Sequence, residues 1–284
     1  MARQHSRTRG NRGVALVAVL WIVAALSILV TGMVQAQRDE IRLVSSARQT
    51  IQASAIGNAA IQLVLQEMAA RDQPVSRLSR LDVSYAGLKI PVEVIPLNGL
   101  IDINRALEPL LRALFAVAGG MEAERADALA RSVVAARLPG PGARGPRFEA
   151  VEDLLQVPGA DLSVYARLSS LITTDSVGSG RVNPMAAPPG VLVVLSEGKT
   201  GLAARIAAGR DDGEAGVDTT SLTAQFIDTA VATRFRLVAR VPLMDGRRLL
   251  ITRLVDTGRA GSDGVPWRIF HAEDQFEPKP PTMN

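Results

Sequence analysis

The strongest pattern along the chain lies at its start. Val14 to Val34 carry no charge, and only Ser27, Thr31 and Gly32 interrupt their apolar character. Wound as an α-helix at ~1.5 Å per residue, this run reaches ~31 Å, which matches a bilayer hydrocarbon core of ~30 Å. No proline occurs from Val14 to Gln73. Beyond the apolar run, Ile41, Val44, Ala47, Ile51, Ala55, Ala59 and Leu63 recur at intervals of three and four, which places them along one helix face. The pattern predicts one helix from about Val14 to about Ala70, apolar all round in its first part and amphipathic in its second. Gly57 weakens such a helix by about 1 kcal/mol without ending it.

Gln73-Pro74 closes the helical pattern, and short apolar runs with strand character follow. Lys89 to Pro96 alternates in part, and its two prolines favour an edge position or strand ends. Asn98-Gly99 signals a turn, with Leu100 to Ile103 as the next strand. From Arg105 to Ser196 the pattern becomes helical. Leu107, Leu110, Leu111, Leu114 and Phe115 share a face that ends near Gly119-Gly120, and Glu122 to Leu138 forms a second helix. Pro139 to Pro146 is a loop. Glu149 to Val157 and Asp161 to Ile172 read as two helices across a Pro158-Gly159 turn, and Val191 to Leu195 as another helical run. Asn104 and Asn183 each stand between a strand end and a helix start, where Asn can cap. Arg234 to Leu243 and Arg247 to Asp256 flank Met244-Asp245-Gly246 as a hairpin, with Pro242 at an edge or bulge. Trp267 to His271 adds a last strand, and Pro278 to Pro281 reads as a disordered tail.

Charge sharpens the picture of the N-terminus. Residues 1–13 hold Arg3, Arg7, Arg9 and Arg12 and no acid. Setting these four aside leaves 28 basic residues against 28 acidic ones, so the body is near neutral, which argues against broad nucleic-acid binding. The arginines before the apolar run predict a cytoplasmic N-terminus and a chain that continues outside the inner membrane. A secretory signal peptide cut at Val34-Gln35-Ala36 is the alternative, but its apolar core would be only ~7–15 residues long.

Candidate chemistry is sparse. There are no cysteines and two histidines, His5 and His271, so thiolate sites and histidine-based triads have little to draw on. No Gly-x-Ser-x-Gly elbow, paired-histidine motif or phosphate loop occurs. The unit Leu154 to Gly159 is similar to a helix-hairpin-helix turn, but its loop carries Asp161 and no base, which favours a packing turn. No enzymatic activity is expected.

The segment from Gly13 through Val14-Ala15-Leu16-Val17-Ala18-Val19-Leu20-Trp21 resembles the N-terminus of type II secretion minor pseudopilins of the K type. The resemblance implies that a prepilin peptidase cuts between Gly13 and Val14 and that Val14 is then N-methylated. Most pilins carry a glutamate at the fifth mature position, and K-type pseudopilins lack it; here that position is Ala18. A carboxylate in lipid is costly unless a neighbouring subunit's N-terminal amine pairs with it. A subunit at the filament tip has no subunit ahead of it, so Ala18 suits that place.

The resemblance extends into the body. Gly99, Ile101, Ile103 and Asn104 match the family's Gly–Ile–Asn segment. Phe148, Val151, Glu152, Leu154 and Leu155, followed by Pro158-Gly159 and Tyr165, match its aromatic-led helix. Val182, Asn183, Ala187, Val191, Leu192 and Leu195 match its Asn-Ala-Pro segment. It implies an α+β fold: a long N-terminal transmembrane and amphipathic helix, then a pilin-like antiparallel sheet with an inserted, mostly helical domain. Pattern and resemblance together divide the chain into leader 1–13, transmembrane helix 14–34, amphipathic continuation 35–72, pilin-like domain 73–104 and 217–275, helical insert 105–216 and tail 276–284.

The implied function is to join I-type and J-type minor pseudopilins in initiating and capping the type II secretion pseudopilus. The chain would be anchored once in the inner membrane, with its C-terminal domain periplasmic. The alternative is a minor pilin-like subunit of a type IV pilus or DNA-uptake system. The chain departs from the family where many members carry a Trp-Arg-Asp segment and an acidic stretch; here Ala135 to Pro139 stand there. That removes support for the family's calcium sites. Asp211, Asp212, Glu214 and Asp218 form an acidic loop able to offer oxygen ligands, but no tight calcium site and no cofactor are expected.

Overall fold

The computed structural model describes residues 11–71, 73–137, 148–214, 216–261 and 264–277; within the first helix it describes the side chains of 16–27 and 44–70. The leader, the Pro139 to Pro146 loop and the tail beyond Glu277 lie outside these residues. The chain divides into two compact units, Met1–Gln52 and Ala53–Asn284.

Helix α1 runs from Asn11 to Ala70, as the absence of proline and the apolar spacing predict. The second unit contains its last turns and a five-stranded antiparallel sheet in the order β1 (Ser79–Tyr85), β2 (Leu88–Pro96), β5 (Arg234–Pro242), β6 (Arg248–Asp256) and β7 (Arg268–Phe276). One sheet face must be covered if alternate residues are apolar. Val92 and Val94 of β2, Leu237 and Ala239 of β5, and Leu249, Ile251 and Val255 of β6 face Ala53, Ala60, Ile61, Val64 and Leu65 of α1 in one buried cluster. A Cβ on Gly57 would collide with the Ile251 side chain, so glycine permits this close helix–sheet approach.

Of the three strand prolines, Pro91 and Pro242 lie outside the stretch where β2 and β5 pair, and Pro96 is the last residue of β2. That pairing runs only from Val92 to Pro96 on β2 and from Phe235 to Ala239 on β5. Pro96 and Pro242 stand at strand ends, while Pro91 lies within β2 before its pairing with β5 begins; β2 and β5 are both inner strands, so the edge placement does not hold. Strand β1 was not foreseen. It joins β2 through Ala86-Gly87, both with positive φ, 50° and 77°. The β5–β6 hairpin closes as expected around Gly246, φ 80°. Strand β7 extends to Phe276, further than expected and into the stretch assigned to the tail.

Leu97–Gly99 is a buried 3₁₀ turn, not a hairpin turn. The chain there leaves the sheet: Ile101–Asp102 (β3) pairs in parallel with Ile172–Thr173 (β4) as a separate two-stranded ladder. The reason is burial, since Leu100, Ile101 and Ile103 all enter a second core. That core gathers α2 (Glu108–Ala113), a π turn at Leu114–Ala118, α3 (Ala123–Ala136), a 3₁₀ turn at Val151–Gln156, α4 (Leu162–Leu168) and α5 (Pro189–Leu195). α6 (Thr200–Asp211) packs on it through Ala203 and Ile206. The expected helix over Glu149 to Val157 is thus a 3₁₀ turn, the helix from Asp161 stops at Leu168, and α6 is an addition.

Neither asparagine caps a helix. Asn104 cross-links two chain segments: its amide donates to the carbonyls of Phe148 (2.8 Å) and Thr174 (3.3 Å), and its Oδ1 accepts from the Phe148 N–H (3.2 Å). Asn183 Oδ1 accepts from the Met185 N–H at 3.0 Å, and its amide reaches the carbonyls of Ser76 and Ala230. The helix starts lie later in the chain, with Leu107 and Pro188 at the N-cap positions and a proline already set to helical φ as the second residue of α2 (Pro109) and the first of α5 (Pro189).

Candidate assembly surface

In the first unit, Leu16 to Ser27 form a stretch of α1 in which every residue is exposed. Leu16, Leu20 and Trp21 are each at least 70% exposed. A helix apolar on every side is not a stable water-facing element. Covering its large side chains with lipid or protein would stabilise it by on the order of 10 kcal/mol or more. The one hydroxyl, Ser27 Oγ, donates back to the Val23 carbonyl at 2.8 Å and so keeps this polar group inside the helix surface. Among the described residues no helix is long and apolar enough to cross a membrane. The predicted span also includes Val14, Ala15 and residues 28–34, whose side chains lie outside the described set.

Gly13 and Val14 lie within the α1 backbone, and their side-chain surroundings are outside the described residues. Ala18 is exposed on the helix, with no carboxylate at that position. Of the recurring apolar face, Val44, Ala47 and Ile51 are exposed in the first unit, Val44 by 64% and Ile51 by 71%; Ile41 lies outside the described side chains. In the second unit, Ala55 and Leu63 are exposed and Ala59 is half-buried. The recurring face is therefore not the one the sheet covers. At ~100° per residue, Ala55 points roughly opposite to Ala53, Ala60 and Val64, and Leu63 lies on the flank, about 60–100° from them.

Two of the four candidate cation ligands, Asp211 and Asp218, are engaged elsewhere. Asp211 binds Arg210 at 2.8 Å and Arg80 at 3.5 Å, and the hydrogen bond from Arg210 holds its carboxyl below the usual carboxylate range. Asp218 accepts from the Thr220 hydroxyl and N–H, 2.6 and 2.9 Å, which lower it likewise. Among the described residues no group of three or more Asp, Glu, His or Cys gathers to hold a metal. At the Pro158-Gly159 turn, Asp161 caps α4 by accepting from the Val164 N–H at 2.9 Å, which fits a packing turn.

Sequence reasoning missed the buried polar groups. Asp102, 2% exposed, accepts from the Asn104 N–H at 2.8 Å, while its second oxygen has no hydrogen-bond partner. Burial pushes its carboxyl up to about 6 against the opposing pull of that N–H, Arg105 and Arg137. Arg137 spends its guanidinium on the carbonyls of Ile103 (2.7 Å) and Ala106 (2.8 Å). A conserved-looking spacing could not reveal these groups, because their partners are set by tertiary contact.

No protein-family model and no curated protein matches the chain. Among solved structures, a chain of the GspK-GspI-GspJ complex from the type 2 secretion system of enterotoxigenic Escherichia coli is similar to 83% of this chain and 99% of its own length, with a TM-score of 0.50 and 14% identity. The likeness is one of fold: an antiparallel sheet with several helices, spanning nearly all of the neighbour.

Proposed function

We propose that the chain is a minor pseudopilin of the K type, which joins I-type and J-type partners to initiate and cap a type II secretion pseudopilus. The observation that carries the reading is the shared fold with a chain of the GspK-GspI-GspJ complex over 83% of this sequence. The N-terminus supports it independently: an arginine leader, Gly13, and an uncharged helix with Ala18 at the fifth position after the glycine.

On this reading the chain acts by packing and has no catalytic role. A prepilin peptidase removes residues 1–13, Val14 becomes the methylated N-terminus, and the apolar helix anchors the chain once in the inner membrane with the α+β body in the periplasm. Ala18 spares the buried helix a carboxylate that would lack a partner at a filament tip. Mass spectrometry of the mature chain from membranes tests this reading. A first residue of methylated Val14 supports it; a chain beginning at Gln37 or at an uncut Met1 overturns it. A Gly13→Leu variant should remain uncut.

A further inference from the structure

The sheet face turned away from α1 is covered at one end only. There Ile95 and Leu254 meet the helical core, and the rest of the face forms the floor of a trough of about 600 Å³. That volume lies within the ~300–1,000 Å³ range of binding clefts. Val238 and Leu250 are half-buried on the floor. The opposite wall is the 3₁₀ turn and α4, where Leu162 stands 69% exposed at the rim.

The charges of the trough are unevenly engaged. Arg236 donates to the carbonyls of Ser170 (3.1 Å) and Ile172 (3.0 Å). Arg240 is held by Glu93 at 3.4 Å and by Glu277 at 3.9 Å. Both arginines are therefore committed to the fold. By contrast, Glu149 and Glu273 are exposed and make no ion pair among the described residues, and Glu152 accepts only from the Tyr165 hydroxyl at 2.8 Å. What remains to meet a ligand is the apolar surface of Val238 and Leu250 beside the committed arginines, with carboxylates on both sides; Glu273 also faces the charge of Arg236, and His271 lines the trough with it.

We propose that this trough binds an extended basic segment of a protein partner, whose Lys or Arg side chains meet Glu149, Glu152 and Glu273 while its apolar residues lie on Val238 and Leu250. Alternating side chains of an extended segment point to opposite sides, which suits a floor and walls of different character. A small polyamine would satisfy the carboxylates and leave the floor uncovered. The proposal rests on the second unit alone and is independent of how the N-terminus is processed.

The test is fluorescence anisotropy with the full chain in a neutral maltoside detergent. The probes are fluorescein-labelled octapeptides of alternating Arg-Val, Arg-Gly and Asp-Val. Arg-Val should bind saturably, Arg-Gly at least threefold more weakly, and Asp-Val not at all. A Glu149→Gln/Glu273→Gln variant should weaken Arg-Val at least fivefold, and Glu149→Gln alone, which leaves the carboxylate facing Arg236 in place, should keep the native melting curve and weaken Arg-Val at least twofold. Equal binding of Arg-Val and Asp-Val, or affinity unchanged in the variant, overturns the proposal. Arg-Gly binding as tightly as Arg-Val, or spermidine displacing the peptide at equal charge, points to a simple polycation site and overturns it too. If a second copy of the chain fills the trough, the native chain will be dimeric, the variant monomeric and the peptide excluded, which also overturns it.

Discussion

Arg253 on β6 and Asn58 on α1, 195 residues apart, are joined by a 3.0 Å hydrogen bond from Nε to Oδ1. The same guanidinium, whose residue is 8% exposed, donates to Asp274 Oδ1 at 2.7 Å and to the carbonyls of Thr252 and Glu273. Asp274 in turn accepts from Ser54 Oγ on α1 at 2.5 Å. One arginine thus fastens the helix to two strands beside an otherwise largely apolar interface.

Arg253→Met should therefore destabilise the second unit by about 2–3 kcal/mol, because it removes a charge-assisted bond and leaves partners unsatisfied. Arg253→Lys should recover less than half of that loss, since an ammonium lacks the planar fork that reaches helix and strand together. Urea unfolding of the three chains measures both. Full recovery by lysine would show that charge alone, without the fork, holds the contact.

Asp102 gives the fold a pH dependence of defined sign. Its carboxyl is raised from 3.8 to about 6 in the folded chain. Between those values the native state keeps a proton that the unfolded chain has lost. Stability therefore falls as pH rises from about 4 to about 6, by on the order of 3 kcal/mol. Asp161, Asp211, Asp218 and Asp245 are shifted down and act in the opposite sense. The informative quantity is therefore the difference between the native chain and Asp102→Asn, in which those four are unchanged. The variant should gain stability relative to the native chain across that window; parallel pH profiles would show that Asp102 titrates normally.

Gly99 and Gly201 separate glycine as a packing requirement from glycine as a tolerated residue. A Cβ at Gly99 would overlap the backbone carbonyl of Ala186, which cannot rotate away, whereas a Cβ at Gly201 meets nothing within 4 Å. Gly99→Ala should cost at least about 2 kcal/mol, and Gly201→Ala, in the first turn of α6, should lie within about 1 kcal/mol of neutral. Thermal melts distinguish them, and similar midpoints for the two variants would contradict the close approach.

These contrasts show what the sequence could reveal. The β5–β6 hairpin was legible because alternation and Asp245-Gly246 agree, and the order strands, helices, strands was legible from the change of period. Strand β1 was hidden because its outward positions carry Arg80, Asp82 and Ser84, its inner face begins with the polar Ser79, and its turn uses Ala86 at a positive φ that alanine rarely adopts. α6 was hidden because its alanines and arginines mark no single apolar face. Asp102, Arg137 and Arg253 were illegible for another reason: a charged residue reads as surface until the fold supplies carbonyls and carboxylates from distant segments. At the candidate assembly surface, the recurring apolar face was legible, but the side of α1 that the sheet would take was not.

That division of α1 yields a pair of neighbours with opposite expectations. Ile61 is 1% exposed against the sheet, and Leu63 is 43% exposed. Ile61→Ala should cost about 2–4 kcal/mol through the lost packing and the cavity left behind. Leu63→Ala should change stability by no more than about 0.5 kcal/mol. If the outer face of α1 meets partner helices, as the proposed function requires, Leu63→Asp should fold normally. It should nevertheless lower several-fold the recovery of I-type and J-type pseudopilins with the chain from detergent-solubilised membranes. A carboxylate between packed apolar helices is costly, while the same group on a water-facing surface is not. Undiminished recovery with Leu63→Asp and also with Ile51→Asp would remove α1's outer face from the assembly and leave the partners to contact some other part of the chain.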